Sequence, residues 1–182
     1  MTLVSLSMFA QNEHLKFKGI PIDGTLKDFT TKLIAKGYVL TSVDDNITSL
    51  KGSFAGYNDC SILVYGLDNT DLVYTVAVMF PYYKSWPLLE GNYNNIKSML
   101  TTKYGEPVLC HEEFQRSTPP RDDMSKYNEL MLGRCDYSAT FKTDNGLIIL
   151  KLCNEDLKCY VLLGYLDDIN SSLGKAAAID DL

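Results

Sequence analysis

The stretch SWPLLEGNYNNIKSMLTTKYGEP, residues 85–107, decides the fold. Leu89, Tyr93, Ile96, Met99 or Leu100, and Lys103 recur three or four residues apart, so the apolar members share one stripe of a 3.6-residue helix. Asn92, Asn94, Asn95, Lys97 and Thr101 take the other side. Gly105 supplies a left-handed stop and Pro107 forbids continuation, whereas Pro87 is tolerated in the first turn, where its missing N–H would have been unbonded anyway. Burying Tyr93, Ile96, Met99 and Leu100 contributes on the order of 6–12 kcal/mol before the entropy of ordering is subtracted. The helix therefore requires a partner surface.

An echo of this stretch lies 67 positions earlier. Leu26, Phe29 and Leu33 stand where Tyr93, Ile96 and Leu100 stand, and Lys36-Gly37-Tyr38 replaces Lys103-Tyr104-Gly105. Thr25 is the expected N-cap, with Asp28 three residues on. Strand-like segments follow each helix: 38–43, 47–54, 60–66 and 72–80 after the first, then 108–114, 134–143, 147–153 and 158–165 after the second. The expectation is an α+β fold built as a tandem repeat of one helix plus four antiparallel strands, with two helices packed on one side of a mostly antiparallel sheet of about eight strands. Residues 12–84 form the first repeat and 85–169 the second. The strand over 72–80 is apolar on both faces and is expected at the centre of the sheet.

Asn145-Gly146 reads as a two-residue hairpin turn with positive φ at both positions, which sets Phe141 opposite Leu150 and Ala139 opposite Leu152. Residues 115–130, QRSTPPRDDMSKYNEL, read as a projecting polar loop, and 170–182 as a flexible tail. Residues 1–11, MTLVSLSMFAQ, resemble the apolar core and small-residue cleavage site of a secretory signal without its basic start.

A net charge of −6 over 182 residues argues against nucleic acid and anionic membrane surfaces as partners. No apolar run is long enough for a transmembrane helix. The five cysteines, Cys60, Cys110, Cys135, Cys153 and Cys159, contain no CxxC pair, so neither a zinc ribbon nor a thioredoxin-type site is expected. Cys153 and Cys159 flank one turn, and a three-residue loop there would permit a disulfide. Cys110 and His111 are adjacent, so on a strand they point to opposite faces and cannot form a dyad with each other. The acidic pairs at 44–45, 112–113, 122–123 and 167–168 mostly fall in turns, and no metal or cofactor motif is present.

With two helix-plus-hairpins units, an export-like start, and the phrases GIPIDGT…KGY and KYGxP, the chain resembles small exported proteins of Gram-negative gut bacteria. In architecture it resembles the β-lactamase-inhibitor-protein type of fold. That resemblance implies a tandem-repeat antiparallel sheet that binds a partner protein, and no inhibitory contact of that family has a matching residue pattern here.

The expected function is non-catalytic recognition of another protein or a cell-envelope ligand, in the periplasm or after secretion. Tyr82, Tyr83 and Trp86 in the inter-repeat linker, with Arg116, Arg121 and Tyr127 in the long polar segment, are of residue types enriched at binding hot spots and form the candidate surface. Two alternatives stand beside it. One is a hydrolase or thiol enzyme using Cys110, Cys60 or His111; the other is a cytoplasmic chaperone or immunity-type protein.

Overall fold

The structure, a computed structural model, describes residues 13–68, 70–116 and 118–180. The segment read as an export signal, 1–11, lies outside them. Ten strands and four helices are described: β1 (Lys16–Phe17), β2 (Ile20–Pro21), α1 (Leu26–Ala35), β3 (Val39–Val43), β4 (Ile47–Phe54), β5 (Tyr57–Gly66), β6 (Val73–Met79), α2 (Trp86–Tyr104), β7 (Leu109–Phe114), α3 (Asp123–Met131), β8 (Cys135–Thr143), β9 (Gly146–Glu155), β10 (Lys158–Asp167) and α4 (Asp168–Asp180).

Eight of the strands form one antiparallel sheet in the order β3-β4-β5-β6-β10-β9-β8-β7. Each helix-led unit contributes a meander of four, and the last strand of each, β6 and β10, meet at the centre with Val78 opposite Leu163 and Ala77 opposite Gly164. The expected α+β architecture is what the structure has. Cys60, Ile62 and Val64 on β5 and Ile148, Leu150 and Leu152 on β9 are buried under the helices, while the alternate residues Ser61, Leu63, Ile149 and Lys151 face the other way and retain exposure.

The helices form for the reasons the sequence supplies. Thr25 Oγ1 accepts the Asp28 N–H at 3.1 Å, satisfying one orphan donor of α1, and Leu26, Phe29 and Leu33 are buried. α2 ends at Gly105, whose φ of 84° suits glycine. Trp86, Leu89, Tyr93, Ile96 and Leu100 form its buried stripe, and Met99 is 45% exposed, so Leu100 is the core member of that pair. Asn92, expected on the outer side, is buried instead. It lies one turn before Asn95, whose amide donates to the Tyr57 hydroxyl at 2.8 Å, which puts that flank of α2 against the first meander.

Four further local expectations need correction. The β8–β9 turn is Asp144-Asn145, with Thr143 opposite Gly146, so Phe141 pairs with Ile148 and Ala139 with Leu150. The apolar face is kept because the slip is by an even number of residues. Gly146 belongs to the strand, where it sits against the Leu166 backbone. Secondly, positive φ at Asp156 and Leu157 makes a two-residue turn between β9 and β10 that sets Cys153 opposite Tyr160 and Cys159 opposite Asn154. The two thiols lie on opposite faces of the sheet, Cys159 buried and Cys153 half-buried, and the disulfide considered for them is not formed. Thirdly, the segment read as a loop contains α3, capped by Asp122, whose carboxylate accepts the Ser125 N–H at 2.9 Å; Leu130 is buried and Tyr127 half-buried. Finally, helix α4 occupies residues read as a tail. It is anchored by Asn170, whose side-chain amide donates to the Ile22 and Val73 carbonyls, and by the buried Asp167 carboxylate, which accepts the Asn170 N–H.

Candidate functional site

The linker between the two meanders is extended, and its neighbouring tyrosines therefore diverge. Tyr83 donates its backbone N–H to the Cys159 carbonyl at 3.1 Å, and its ring packs at the margin of the core. Tyr82 is 48% exposed and turns to the other side of the sheet. Its ring meets Tyr160 edge-to-face at 5.5 Å, Lys158 Nζ stands 5.4 Å from its centroid, and its hydroxyl donates to Met79 Sδ at 3.4 Å. Tyr160 and Met79 both project from the face opposite the helices, as the pairings Tyr160 to Cys153 and Met79 to Leu162 require. Tyr82 thus extends the outer sheet face with an aromatic, cation-bearing patch.

Trp86 has the reverse role. It is 1% exposed and packs against Phe114 and Tyr137 at 5.3 and 5.2 Å, which locks α2 to β7 and β8. Its edge and Tyr127 share a shallow depression of 210 Å³ with Lys84, Pro87 and Met124. Arg116 is taken up by the fold: its guanidinium lies 2.8 Å from the Glu129 carboxylate, which Arg134 also grips at 2.8 Å. The hydrogen bond from Arg134, followed by the charges of both arginines, holds the Glu129 carboxyl below its ordinary range despite the loss of hydration. Arg121 is exposed just ahead of α3. The structure therefore brings Trp86 and Tyr127 together, ties Arg116 to α3, and sends Tyr82 to a different face.

Reactive groups gather at one other place. The exposed Cys110 on β7 has its Sγ 3.3 Å from Lys97 Nζ of α2, and Lys97 also forms an ion pair with Glu112. Burial opposes the Lys97 charge, but the hydrogen bonds to Glu112 and Cys110 prevail and raise its pKa. His111 pairs across to Ser138 on the other face of β7, as its adjacency to Cys110 implied. His14 is engaged elsewhere, its Nδ1 3.0 Å from the buried Asp167 carboxylate. Burial raises the thiols of Cys60 and Cys159, and pushes Cys153 up to about 11 and Cys135 up to about 12.

Among the described residues, no group of three or more His, Cys, Asp or Glu is placed to hold a metal ion, and no helix is long and apolar enough to cross a membrane. No family model, curated protein or solved structure matches the chain.

Two features of this surface escape a reading of the sequence by composition alone. Lys158 and Tyr160 lie nearly eighty residues beyond Tyr82, and only the β6–β10 junction makes them neighbours. Residues 81–83 are apolar or aromatic and alternate in direction, which is the signal that could have separated Tyr82 from Tyr83.

Proposed function

We propose that this chain is a non-catalytic recognition protein of the periplasm or extracellular space, binding another protein or a cell-envelope ligand through the outer face of its sheet. The observation that carries the proposal is the Tyr82–Tyr160–Met79–Lys158 patch at the central junction. Tyr82, half exposed and set edge-to-face on the buried Tyr160 with a cation above it, and flanked by Leu63, Ile149 and Leu162, has the composition of a binding hot spot rather than of a solvated sheet face. The helix-plus-four-strands unit, present twice, is in keeping with the resemblance to inhibitor-type sheets that engage partner proteins.

The test is affinity capture from the native cell envelope with wild type and with a Tyr82→Ala/Lys158→Ala variant, both shown folded by circular dichroism. A specific partner retained by wild type and lost by the variant supports the assignment. Equal capture of that partner by both proteins removes the patch from the binding site.

A further inference from the structure

We propose that edge strand β3, with the groove between it and α1, is a second docking site that takes an extended basic segment of a partner protein as a ninth strand of the sheet. Among the described residues no strand pairs with the outer side of β3 or of β7, and these two edges differ in chemistry. β7 reads LCHEEF, with Glu112 held by Lys97 and with Glu113 and His111 beside it, the kind of charge that discourages strand addition. β3 reads VLTSV, exposed along its whole length and free of charge and proline. Such an edge offers unpaired backbone N–H and C=O groups to an incoming strand.

The helix-facing side of this edge has a built recess. Ile34 of α1 and Leu40 and Val43 of β3 leave 45%, 44% and 67% of their surface exposed around a groove of 450 Å³. Thr30 in its wall is 6% exposed, and its hydroxyl has no hydrogen-bond partner among the described residues. The rim carries three carboxylates, Asp44, Asp45 and Asp71, against one ammonium, Lys27. An occupant with apolar side chains on its helix-facing side would place them in the groove while its main chain pairs with β3, and a lysine or arginine at its end would meet Asp44 and Asp45 in the turn between β3 and β4. A second copy of this chain fits less well, because a copy of β3 brings no cation to the aspartates.

The site is separate from the Tyr82 patch and can be tested alone. The probe is a fluorescein-labelled hexapeptide of alternating lysine and valine, read by anisotropy, with the glutamate–valine peptide as its counterpart. The basic peptide is expected to bind wild type and to slow amide exchange in residues 39–43. Asp44→Asn/Asp45→Asn and Ile34→Lys/Val43→Lys, all at exposed positions, are each expected to weaken it by about tenfold or more. The proposal is overturned if the basic peptide does not bind, if the acidic peptide binds equally, if either double variant binds like wild type, or if exchange in β3 is unchanged. It is also overturned if sedimentation shows a wild-type dimer that Ile34→Lys/Val43→Lys dissolves, which would give the edge to a second copy.

Discussion

Gly146 lies directly against the backbone of Leu166: a methyl group on its Cα would overlap the Leu166 carbonyl oxygen and press on the Leu15 side chain. Gly146→Ala is therefore expected to destabilise the fold by about 1–3 kcal/mol through overpacking of backbone that cannot easily move. Gly91, on the exposed side of α2, has open space at the same position, so Gly91→Ala should add up to about 1 kcal/mol. Urea denaturation of the two variants checks both signs.

Leu33 and Leu100 carry the buried stripes of α1 and α2. Leu33→Asp and Leu100→Asp should each cost about 3–5 kcal/mol, since each removes an apolar contact and buries a carboxyl group. Asn94→Asp, on the exposed side of α2, should stay within about 0.5 kcal/mol of wild type. Equal denaturation midpoints for all three variants would contradict the packing of the helices.

Cys110 is the exposed thiol, and burial raises the pKa of the other four. Brief treatment of the native protein with iodoacetamide should add one carbamidomethyl group, at Cys110, with the remainder appearing only on unfolding. Peptide mass spectrometry reads the order directly. Labelling of Cys153 or Cys135 ahead of Cys110 would refute the assigned exposures.

The Glu129 carboxyl is held below its ordinary value of 4.5 by Arg134 and Arg116. Its contribution to stability is present above the unfolded value and is lost as pH falls through the depressed folded value. The stability gap between wild type and Glu129→Gln should therefore be full near neutrality and close on acidification below about pH 4.5. Paired thermal melts across pH 3–7 measure it, and a gap independent of pH would show that the charge is not what Arg134 and Arg116 recognise.

The elements that were legible in the sequence are those in which local chemistry and tertiary burial agree. α2 has both a stripe and stop signals, and the turns around 44–46 and 55–56 divide the first meander. Where one residue could serve two purposes, the sequence misleads. Gly146 is the residue of a type I′ turn in local terms, yet it is needed where two strands crowd, and the turn moves by one residue to accommodate it. Pro119-Pro120 dominates the appearance of residues 115–130, although Asp122 and Ser125 start a helix two residues later. α4 has weak amphipathic character, and its anchor at Asn170 depends on carbonyls nearly a hundred residues or more away. For the candidate surface, residue type alone did not separate Trp86, a core member, from Tyr82, an exposed one.

The central pairing of β6 with β10 also sets a schedule for synthesis. Every other adjacent pair in the sheet joins strands consecutive along the chain, at small closure cost, whereas Met79 must wait for Leu162. Until that partner leaves the ribosome, the first half presents VYTVAVM as an uncharged, unpaired edge. The nascent chain is thus most open to misassociation during production of its second half, and a chaperone or a rapid translation rate would matter more over residues 80–167 than at any later stage.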